Sequence, residues 1–333
     1  MLKFGIVGYG KMGKIRERTL RSFASVEIIG IFDINQIEYK DCAKICESYD
    51  ELLNLGVDAV VIATYVKFSA EYTIKALEMG IHVFCEKPPA MTLSEMEQVI
   101  VAERRSSAIL KYGFNHRYHH SVIQAKTIID SGGTGKCLWM KGTYGKAGSI
   151  DYDTNWRAYM QYSGGGIFLD QGIHMVDLIR YFAGSEFNVL FSEISNSYWK
   201  IQAEDNAFLV LKNSSGVIAT VHSSATHWKH RFLLEMMFEN ASITLDGLLT
   251  TTGSYAPETL VHCYRQHSNA SIAMGKPVEM SMTFDADDSW ALELAEFIDV
   301  CQSGGPVING TSSDALAVMK IVDRVYESRN IFV

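Results

Sequence analysis

Three groups of residues in this chain have types and spacings that could carry chemistry. The first is Glu86-Lys87-Pro88-Pro89, which follows an apolar run from Ile81 to Cys85. In an open parallel sheet, ligands bind at the carboxyl ends of the strands, so Lys87 is placed to contact a bound ligand. Pro88 restricts the backbone of Lys87 and is compatible with a cis bond that would set the direction of the lysine. The alternative is a solvated loop lysine.

The second group is a pair of ionisable residues, Asp170 and His174, four positions apart. They follow a run of glycines and enter an apolar segment typical of a helix. On a helix this spacing puts both side chains on one face, so the carboxylate could orient the imidazole or a bound hydroxyl. Histidine titrates near neutral pH and is suited to take a proton from an alcohol. The same residues could instead be a helix cap and a hydrogen-bonded structural histidine.

The third group is a glycine turn between an apolar run, Leu2 to Val7, and a helix-like segment. A second apolar run then stops at Asp33, twenty positions after Gly13. This order of strand, glycine turn, helix, strand and acid is the one that binds a dinucleotide. The predicted cofactor contacts are the turn residues Gly8, Tyr9, Gly10, Lys11, Met12 and Gly13, together with Asp33.

The acid at position 33 also indicates which dinucleotide binds. A carboxylate accepts hydrogen bonds from the adenosine ribose and repels a 2′-phosphate. The residues after Asp33 supply no cation before Lys40. NAD is therefore predicted, and NADP is less favoured.

Two regions of different pattern must position these groups. Residues 1–120 alternate short apolar strands with amphipathic helices, which indicates a parallel sheet of βα units. The segment 39–48, with Cys42 and Cys46 four apart, is interpreted as helical in this region. Residues 121–333 begin with a helix over 122–129 and then alternate like strands, with a hairpin turn at 213–216 and two closing helices, the second over 313–329. The fold class is therefore α/β: a Rossmann domain over 1–120, then an α+β domain over 121–333 with a large, mostly antiparallel open sheet.

Composition narrows the partners. The chain has 333 residues, 47% of them hydrophobic, and a formal charge of −8, so it carries no basic surplus for nucleic acid. No secretory signal and no apolar run of membrane-spanning length is found, and the six dispersed cysteines contain no CxxC pair. A cytoplasmic protein with reduced cysteines and no membrane partner is expected. The open face of the large sheet suggests a homodimer or homotetramer.

Taken together, the glycine turn, Glu86-Lys87-Pro88 and Asp170-x-x-x-His174 resemble the glucose–fructose oxidoreductase, inositol dehydrogenase and rhizopine catabolism (Gfo/Idh/MocA) family. The resemblance extends over most of the chain and includes Gly113-Phe114-Asn115 and Asn155-Trp156-Arg157. It implies a Rossmann domain followed by an oligomerising α/β domain. It also implies that Lys87, Asp170 and His174 are the catalytic residues.

The resemblance further implies contacts near the cofactor from Thr64, Tyr65, Glu86, Lys87, Asn115, Trp156 and Arg157. One loop departs from the family pattern. Members often read Thr-Pro-x-x-x-His after the third strand, whereas this chain reads Thr64-Tyr65-Val66-Lys67-Phe68-Ser69. The contacts expected from that loop therefore have the weakest support.

Two histidine-rich clusters stay open to more than one interpretation. Residues 115–120 read Asn-His-Arg-Tyr-His-His, but no carboxylate or cysteine pattern completes a metal site there, and no metal is predicted. A role in a substrate cleft is the alternative. The cluster from His227 to Arg231 suits a sugar or an acidic substrate, or is the polar rim of a sheet.

These residues predict an NAD-dependent enzyme that moves hydride between nicotinamide and a carbohydrate hydroxyl or ketone, with a nucleotide-linked or acidic sugar among the candidates. His174 or Lys87 would accept the hydroxyl proton, and all three motifs would line one groove. The alternatives are a catalytically inactive NAD-binding sensor or scaffold and a reductase of a non-sugar carbonyl or imine.

Overall fold

The computed structural model describes residues 1–39, 41–148, 152–265 and 278–327. The chain forms two compact units, each drawn from separate stretches of sequence. The first unit combines residues 1–115, 159–164 and 290–320. The second contains the described residues of 116–158, 165–289 and 321–327. The predicted division at residue 120 remains a prediction about domains, whereas the compact units are discontinuous in sequence.

The first unit is built on a parallel sheet. Its strands are β1 (Leu2–Val7), β2 (Val26–Phe32), β3 (Lys44–Cys46), β4 (Ala59–Ile62), β5 (His82–Glu86) and β6 (Leu110–Gly113). They lie in the order β3-β2-β1-β4-β5-β6, and each described pair is parallel. The order reverses between β1 and β4, which is the switch point where such sheets bind ligands. The predicted Rossmann fold is confirmed.

Helices surround this sheet, and their ends follow from local sequence. They are α1 (Lys11–Leu20), α2 (Tyr49–Leu53), α3 (Val66–Glu78), α4 (Leu93–Glu103) and the short α6 (Met160–Ser163). At the start of α4 the Thr92 hydroxyl accepts from the Glu95 amide at 3.2 Å, and the Glu95 carboxylate accepts from the Met91 amide at 2.8 Å. This reciprocal cap satisfies amides that a helix start leaves without partners.

The core beside the sheet includes a helix from far along the chain. Phe4 and Phe84 from β1 and β5 pack edge-to-face against Phe297, with ring centroids 6.1 and 5.6 Å apart. Phe297 lies on α8 (Ser289–Ser303), and all three rings are buried. Residue 310 covers the β6 edge, where the Gly310 carbonyl accepts from the Tyr112 amide at 2.7 Å.

The second unit is built on a larger sheet. Its strands are β7 (Cys137–Gly145), β8 (Phe187–Ser195), β9 (Asn206–Asn213), β10 (Ile218–Ser224), β11 (Arg231–Phe238), β12 (Ala241–Asp246), β13 (Glu258–Tyr264) and β14 (Met280–Phe284). Over the described residues the order is β14-β13-β12-β11-β7-β10-β9-β8, antiparallel except for the β7–β10 pair. Helices α5 (His120–Asp130) and α7 (Ile173–Ala183) pack on it. The predicted mostly antiparallel sheet and the 213–216 turn between β9 and β10 are confirmed.

One predicted element is wrong. Cys46 ends strand β3, which pairs in parallel with β2, and Cys42 lies in a bend before it, so the two thiols do not share a helix. Pairing with the exposed edge of β2 overrides the weak helical pattern of this segment. The closing helix, α9 (Ser312–Glu327), begins one residue earlier than predicted, and its predicted end at 329 lies outside the described residues.

Strands β13 and β14 were not predicted. In β13 the inward positions include the polar residues Glu258 and His262, which are buried, so the apolar alternation that marks a strand is interrupted.

In the part of the chain that the structure describes, no helix is long and apolar enough to cross a membrane.

Candidate active site

The predicted cofactor residues of the first unit lie at one edge of its sheet. The glycine turn follows β1, Asp33 follows β2, Thr64 follows β4, Lys87 follows β5, and Asn115 lies just beyond β6. Because the strands are parallel, these are all carboxyl ends and share one edge. The fold therefore brings together residues that are separated by up to a hundred positions in sequence.

Two glycines of the turn are required by close contacts, and the third leaves open space. Gly8 has a φ of +88°, and a Cβ there would lie 2.6 Å from the Ala63 carbonyl oxygen. A Cβ on Gly13 would lie 2.0 Å from the Gly8 carbonyl oxygen, so α1 can approach the turn only with glycine at this position. Gly10 caps α1, and a Cβ there would meet no atom within 4 Å in the described structure.

This geometry fits a dinucleotide. The open space at Gly10 lies at the start of α1, where the first amides have no partner within the helix and the helix dipole favours a pyrophosphate. Lys11 and Met12 supply the next amides of this turn. Asp33 accepts from the Tyr9 amide at 2.6 Å and from the Asn35 amide at 2.7 Å, so its carboxylate is held against the turn.

Glu86 ends β5, and Lys87 follows it directly. The Lys87–Pro88 peptide bond is cis, the form with which the sequence is compatible at this position. The Glu86 carboxylate accepts a hydrogen bond from Arg16 Nε at 2.5 Å. Glu86 was predicted as a cofactor contact; the structure shows it in an ion pair beside the lysine.

The loop that departs from the family pattern carries aromatic side chains. Tyr65 precedes α3, and its ring centroid lies 5.5 Å from that of Tyr162. Lys67 lies over the same Tyr162 ring at 6.0 Å. Tyr65, at the position where related chains often have proline, therefore pairs with an aromatic ring from α6.

In the second unit Asp170 lies in a π-helical turn, Phe168–Gly172, that runs directly into α7. Its Oδ2 atom lies 3.1 Å from Lys146 Nζ and 3.5 Å from Arg157 Nε. Arg157 also stacks over the Trp156 ring at 4.4 Å. Single π-helical turns are uncommon and occur often at functional sites. The structure therefore gives Asp170 two cationic neighbours.

His174, the second residue of α7, is 3% exposed. Its ring is stacked on that of His116, with centroids 3.7 Å apart and planes at 15°. His116 Nε2 lies 2.9 Å from the Tyr144 hydroxyl, and burial raises the pKa of that phenol well above its usual value. The second unit thus holds a stacked imidazole pair that ends on a protonated tyrosine.

The remaining residues of the 115–120 cluster make structural pairs. Arg117 forms a buried bidentate pair with Asp177 at 2.8 and 2.6 Å. His119 Nδ1 lies 2.9 Å from the buried Glu258 carboxylate, whose pKa this contact lowers. Among the described residues, no group of His, Cys, Asp and Glu side chains is arranged to hold a metal ion. Only His116 of this cluster stacks on a predicted catalytic residue.

The second histidine-rich cluster, from His227 to Arg231, has residues in two different environments. Arg231 pairs across strands with Asp246 at 3.0 Å, as a residue on a polar sheet rim would. His230 packs edge-on against Tyr255 with ring centroids 4.7 Å apart, and burial together with Lys146 lowers the pKa of this imidazole.

Sequence reasoning missed Lys146, Tyr144 and Arg16. Tyr144 and Lys146 lie at the carboxyl end of β7, so the rule that picked out Lys87 could have found them. That rule holds for parallel sheets, and β7 belongs to a mostly antiparallel sheet. Arg16 gave no signal, since one arginine on an amphipathic helix is ordinarily solvent-exposed.

Comparisons with known proteins agree with this geometry. A family model described as "Oxidoreductase family, NAD-binding Rossmann fold" matches residues 2–114, and one described as the GFO/IDH/MocA C-terminal domain matches residues 122–244. The chain is 28% identical over 233 residues to the uncharacterized oxidoreductase YrbE of Bacillus subtilis, a match that covers 66% of each chain. It is 26% identical to the inositol 2-dehydrogenase of Salmonella typhimurium over 348 residues, covering 98% of this chain and 94% of the relative.

Solved structures share the fold. A levoglucosan dehydrogenase in complex with NADH and L-sorbose has a TM-score of 0.85 at 20% identity, covering 99% of this chain and 96% of that one. KijD10, a 3-ketoreductase from Actinomadura kijaniata in complex with NADP and TDP-benzene, has a TM-score of 0.83 at 19% identity, covering 98% and 97%.

The doubly wound sheet, its glycine turn and the acid after β2 define an NAD-binding oxidoreductase. The two matching models cover most of both units. The chain belongs to the Gfo/Idh/MocA family, as its motifs predicted.

Proposed function

We propose that this protein uses NAD to oxidise a secondary hydroxyl of a carbohydrate to a ketone, or catalyses the reverse reaction. The observation that carries the proposal is the placement of the glycine turn, Asp33 and Lys87 at one edge of the first sheet. The relatives named as inositol dehydrogenases support a polyhydroxylated substrate. Bound NAD supplies a hydride acceptor at the nicotinamide C4 atom.

In this proposal His174 takes the hydroxyl proton in the oxidative direction. Its stacking on His116 holds the ring in one orientation and excludes water from one face. Lys87 donates to the substrate oxygen and stabilises the negative charge that develops there. If His174 does not accept the proton, Lys87 is the alternative acceptor.

Asp170, with Lys146 and Arg157, is proposed to bind substrate hydroxyls. The carboxylate accepts from a hydroxyl, while the two cations hold the carboxylate in place. The same two cations favour a sugar that carries a carboxylate or a phosphate, including a nucleotide-linked sugar.

Absorbance at 340 nm tests the proposal. The protein is mixed with NAD and a panel of inositols, glucosides, sugar phosphates, sugar acids and nucleotide sugars. Reduction of NAD with at least one member, lowered at least about a hundredfold in Lys87→Ala and in His174→Gln, is expected. Lys44→Ala, an exposed lysine paired with Glu51, is the control and keeps full activity.

Two other outcomes would contradict the proposal. Tight NAD binding without reduction across the whole panel would indicate a sensor or scaffold. Oxidation of NADH by non-sugar ketones or imines, with no sugar turned over, would indicate a reductase of another class.

A further inference from the structure

A buried ionic cluster lies beside Lys87 in the first unit. Arg16, on α1, has no exposed surface. Its Nε donates to Glu86 Oε1 at 2.5 Å, and its terminal Nη2 donates to Glu293 Oε2 at 2.6 Å. Glu293 comes from α8 and is itself fully buried. One guanidinium therefore joins three elements that are far apart in sequence.

Aromatic rings fix the plane of this guanidinium. The Arg16 carbon Cζ lies 4.3 Å from the Phe84 ring centroid and 4.6 Å from that of Trp290. A planar cation can stack on rings and still donate in its own plane to two carboxylates, which an ammonium cannot do. The position thus requires arginine rather than positive charge alone.

Strand β6 lies close to the Glu86 carboxylate. A Cβ on Gly113, the β6 partner of Glu86, would lie 2.9 Å from Glu86 Oε2, so a side chain there would displace this carboxylate. The Glu86 side chain is 12% exposed. The carboxylate that accepts from Arg16 is therefore largely buried beside β6.

The cluster has two carboxylates for one guanidinium. Burial and the charge of Glu86 raise the pKa of Glu293 to about 7, although Arg16 and Lys111 oppose this shift. Lys111, from β6, is paired with Glu296 of α8 at 2.9 Å. The charged groups that act on Glu293 are thus Arg16 from α1, Glu86 from β5 and Lys111 from β6.

The position of the cluster relates it to the reaction. Arg16 lies one turn beyond Gly13 on the helix whose first amides would bind the cofactor phosphates, and Glu86 is the residue directly before Lys87. The ion pair therefore connects the phosphate-binding helix to the backbone that carries the lysine.

We propose that Arg16 is a positioning residue: through Glu86 it fixes the backbone of Lys87 relative to the glycine turn, and Glu293 holds Arg16 in place. The inference rests on the proposed function in so far as Lys87 acts on substrate. Displacement of a reacting group by about 1 Å can cost about a hundredfold in rate.

Kinetics provide the first test. Arg16→Lys keeps the charge but loses the fork and the stacking, and we expect kcat to fall about tenfold to a hundredfold while the Kd for NAD changes less than about threefold. Arg18→Lys, an exposed residue on the same helix, is the matched control and keeps wild-type kcat. A fall in melting temperature with unchanged kcat would show a purely structural role and overturn the proposal.

A second readout needs no turnover. In the cofactor-free protein, lysines are reductively methylated with ¹³C-formaldehyde, and the Lys87 signal is assigned by its loss in Lys87→Arg. We expect its chemical shift to move in Arg16→Lys and to stay in place in Arg18→Lys. Glu293→Gln, which keeps the side-chain shape, serves if Arg16→Lys does not fold, and a smaller movement is expected.

The two readouts separate the two proposals. If the wild-type protein oxidises no substrate, the proposed function fails, but a moved Lys87 signal still supports the positioning role. An unmoved signal in Arg16→Lys and in Glu293→Gln contradicts that role whether or not the enzyme is active.

Discussion

At the scale of single residues, the second unit places one imidazole face to face with another. His116 lies between His174 and the Tyr144 hydroxyl, so it supports the predicted proton acceptor without being that acceptor. We expect His116→Phe to keep the stacking and to lose the contact with Tyr144. The resulting freedom of His174 should lower kcat about tenfold with little change in KM.

A steady-state comparison with His82→Phe provides the control for this prediction. His82 lies on β5 of the first unit and accepts from the Ile109 amide at 2.9 Å, whereas the stacked pair belongs to the second unit. If His82→Phe loses as much activity as His116→Phe, the loss in both variants reflects impaired folding and not the stacked imidazole pair.

The charge of the buried Glu258 carboxylate contributes to stability. Its carboxylate accepts from His119 Nδ1 and from the amides of Ser121 and Leu249, each at 2.9 Å. These contacts lower the pKa of Glu258 from 4.5 to about 2, despite burial. A depressed carboxyl pKa stabilises the fold above the unfolded value, and this stability is lost as pH falls from about 4.5 through about 2.

Glu258→Gln should therefore lose about 3 kcal/mol at pH 7 and lose less than the wild type on acidification. Urea unfolding at pH 7 and at pH 3.5 measures both quantities. The partly exposed residue Glu235, paired across strands with Lys141, provides the comparison, since Glu235→Gln should leave both values nearly unchanged. Equal acid sensitivity of Glu258→Gln and wild type would refute the role of this carboxylate.

At the scale of elements, the glycine turn offers a pair of substitutions with different outcomes. A methyl at Gly13 meets the Gly8 carbonyl, whereas a methyl at Gly10 meets no described atom within 4 Å. Gly13→Ala should lower both the melting temperature and NAD affinity. Gly10→Ala should keep the wild-type melting temperature but weaken NAD binding at least about tenfold, because the methyl enters the phosphate space.

Thermal melts and NAD titration by fluorescence distinguish these cases. Normal NAD affinity in Gly10→Ala would show that the pyrophosphate does not approach this turn.

Elements also show what the sequence could reveal. Strand β4 is buried at every position, and its continuous apolar run identified it without ambiguity. Strand β3 and strand β13 were missed because three residues carry too little pattern and because Glu258 and His262 interrupt an alternation. The ion pairs of Arg16 could not be predicted, since Glu293 lies 277 positions away and only the folded sheet brings them together.

At the scale of the whole molecule, the outward face of the large sheet carries exposed apolar side chains. Trp139, Phe208 and Ile218 are 40%, 47% and 43% exposed on β7, β9 and β10. We propose that this face joins copies of the chain into a dimer or tetramer. Phe208→Asp should shift the mass measured by light scattering toward that of the monomer. Lys141→Asp, at the charged part of the same face, should shift this mass less. A monomeric wild-type protein would contradict the proposal.

The pH dependence of the whole protein should reflect Glu293. Because its folded pKa of about 7 lies above the usual 4.5, the native state holds its proton more tightly, and stability falls as pH rises from about 4.5 through about 7. In Glu293→Gln, the decrease in the free energy of unfolding over this pH range should be smaller by on the order of 2–3 kcal/mol. Melting temperatures recorded from pH 5 to 8 measure this difference. Glu97→Gln, on the exposed face of α4, is the control. If the melting temperatures of Glu293→Gln and wild type change in parallel with pH, Glu293 is not the group responsible.

The contribution of α8 to the first unit has a consequence for synthesis on the ribosome. The β1–β6 strands are complete once Gly113 is made, but Phe297, which covers Phe4 and Phe84, is made more than 170 residues later. At 5–20 residues per second, that interval is roughly 10–40 s. During this interval one apolar face of the nascent sheet is uncovered. We therefore expect the growing chain to depend on a chaperone until its final segment emerges.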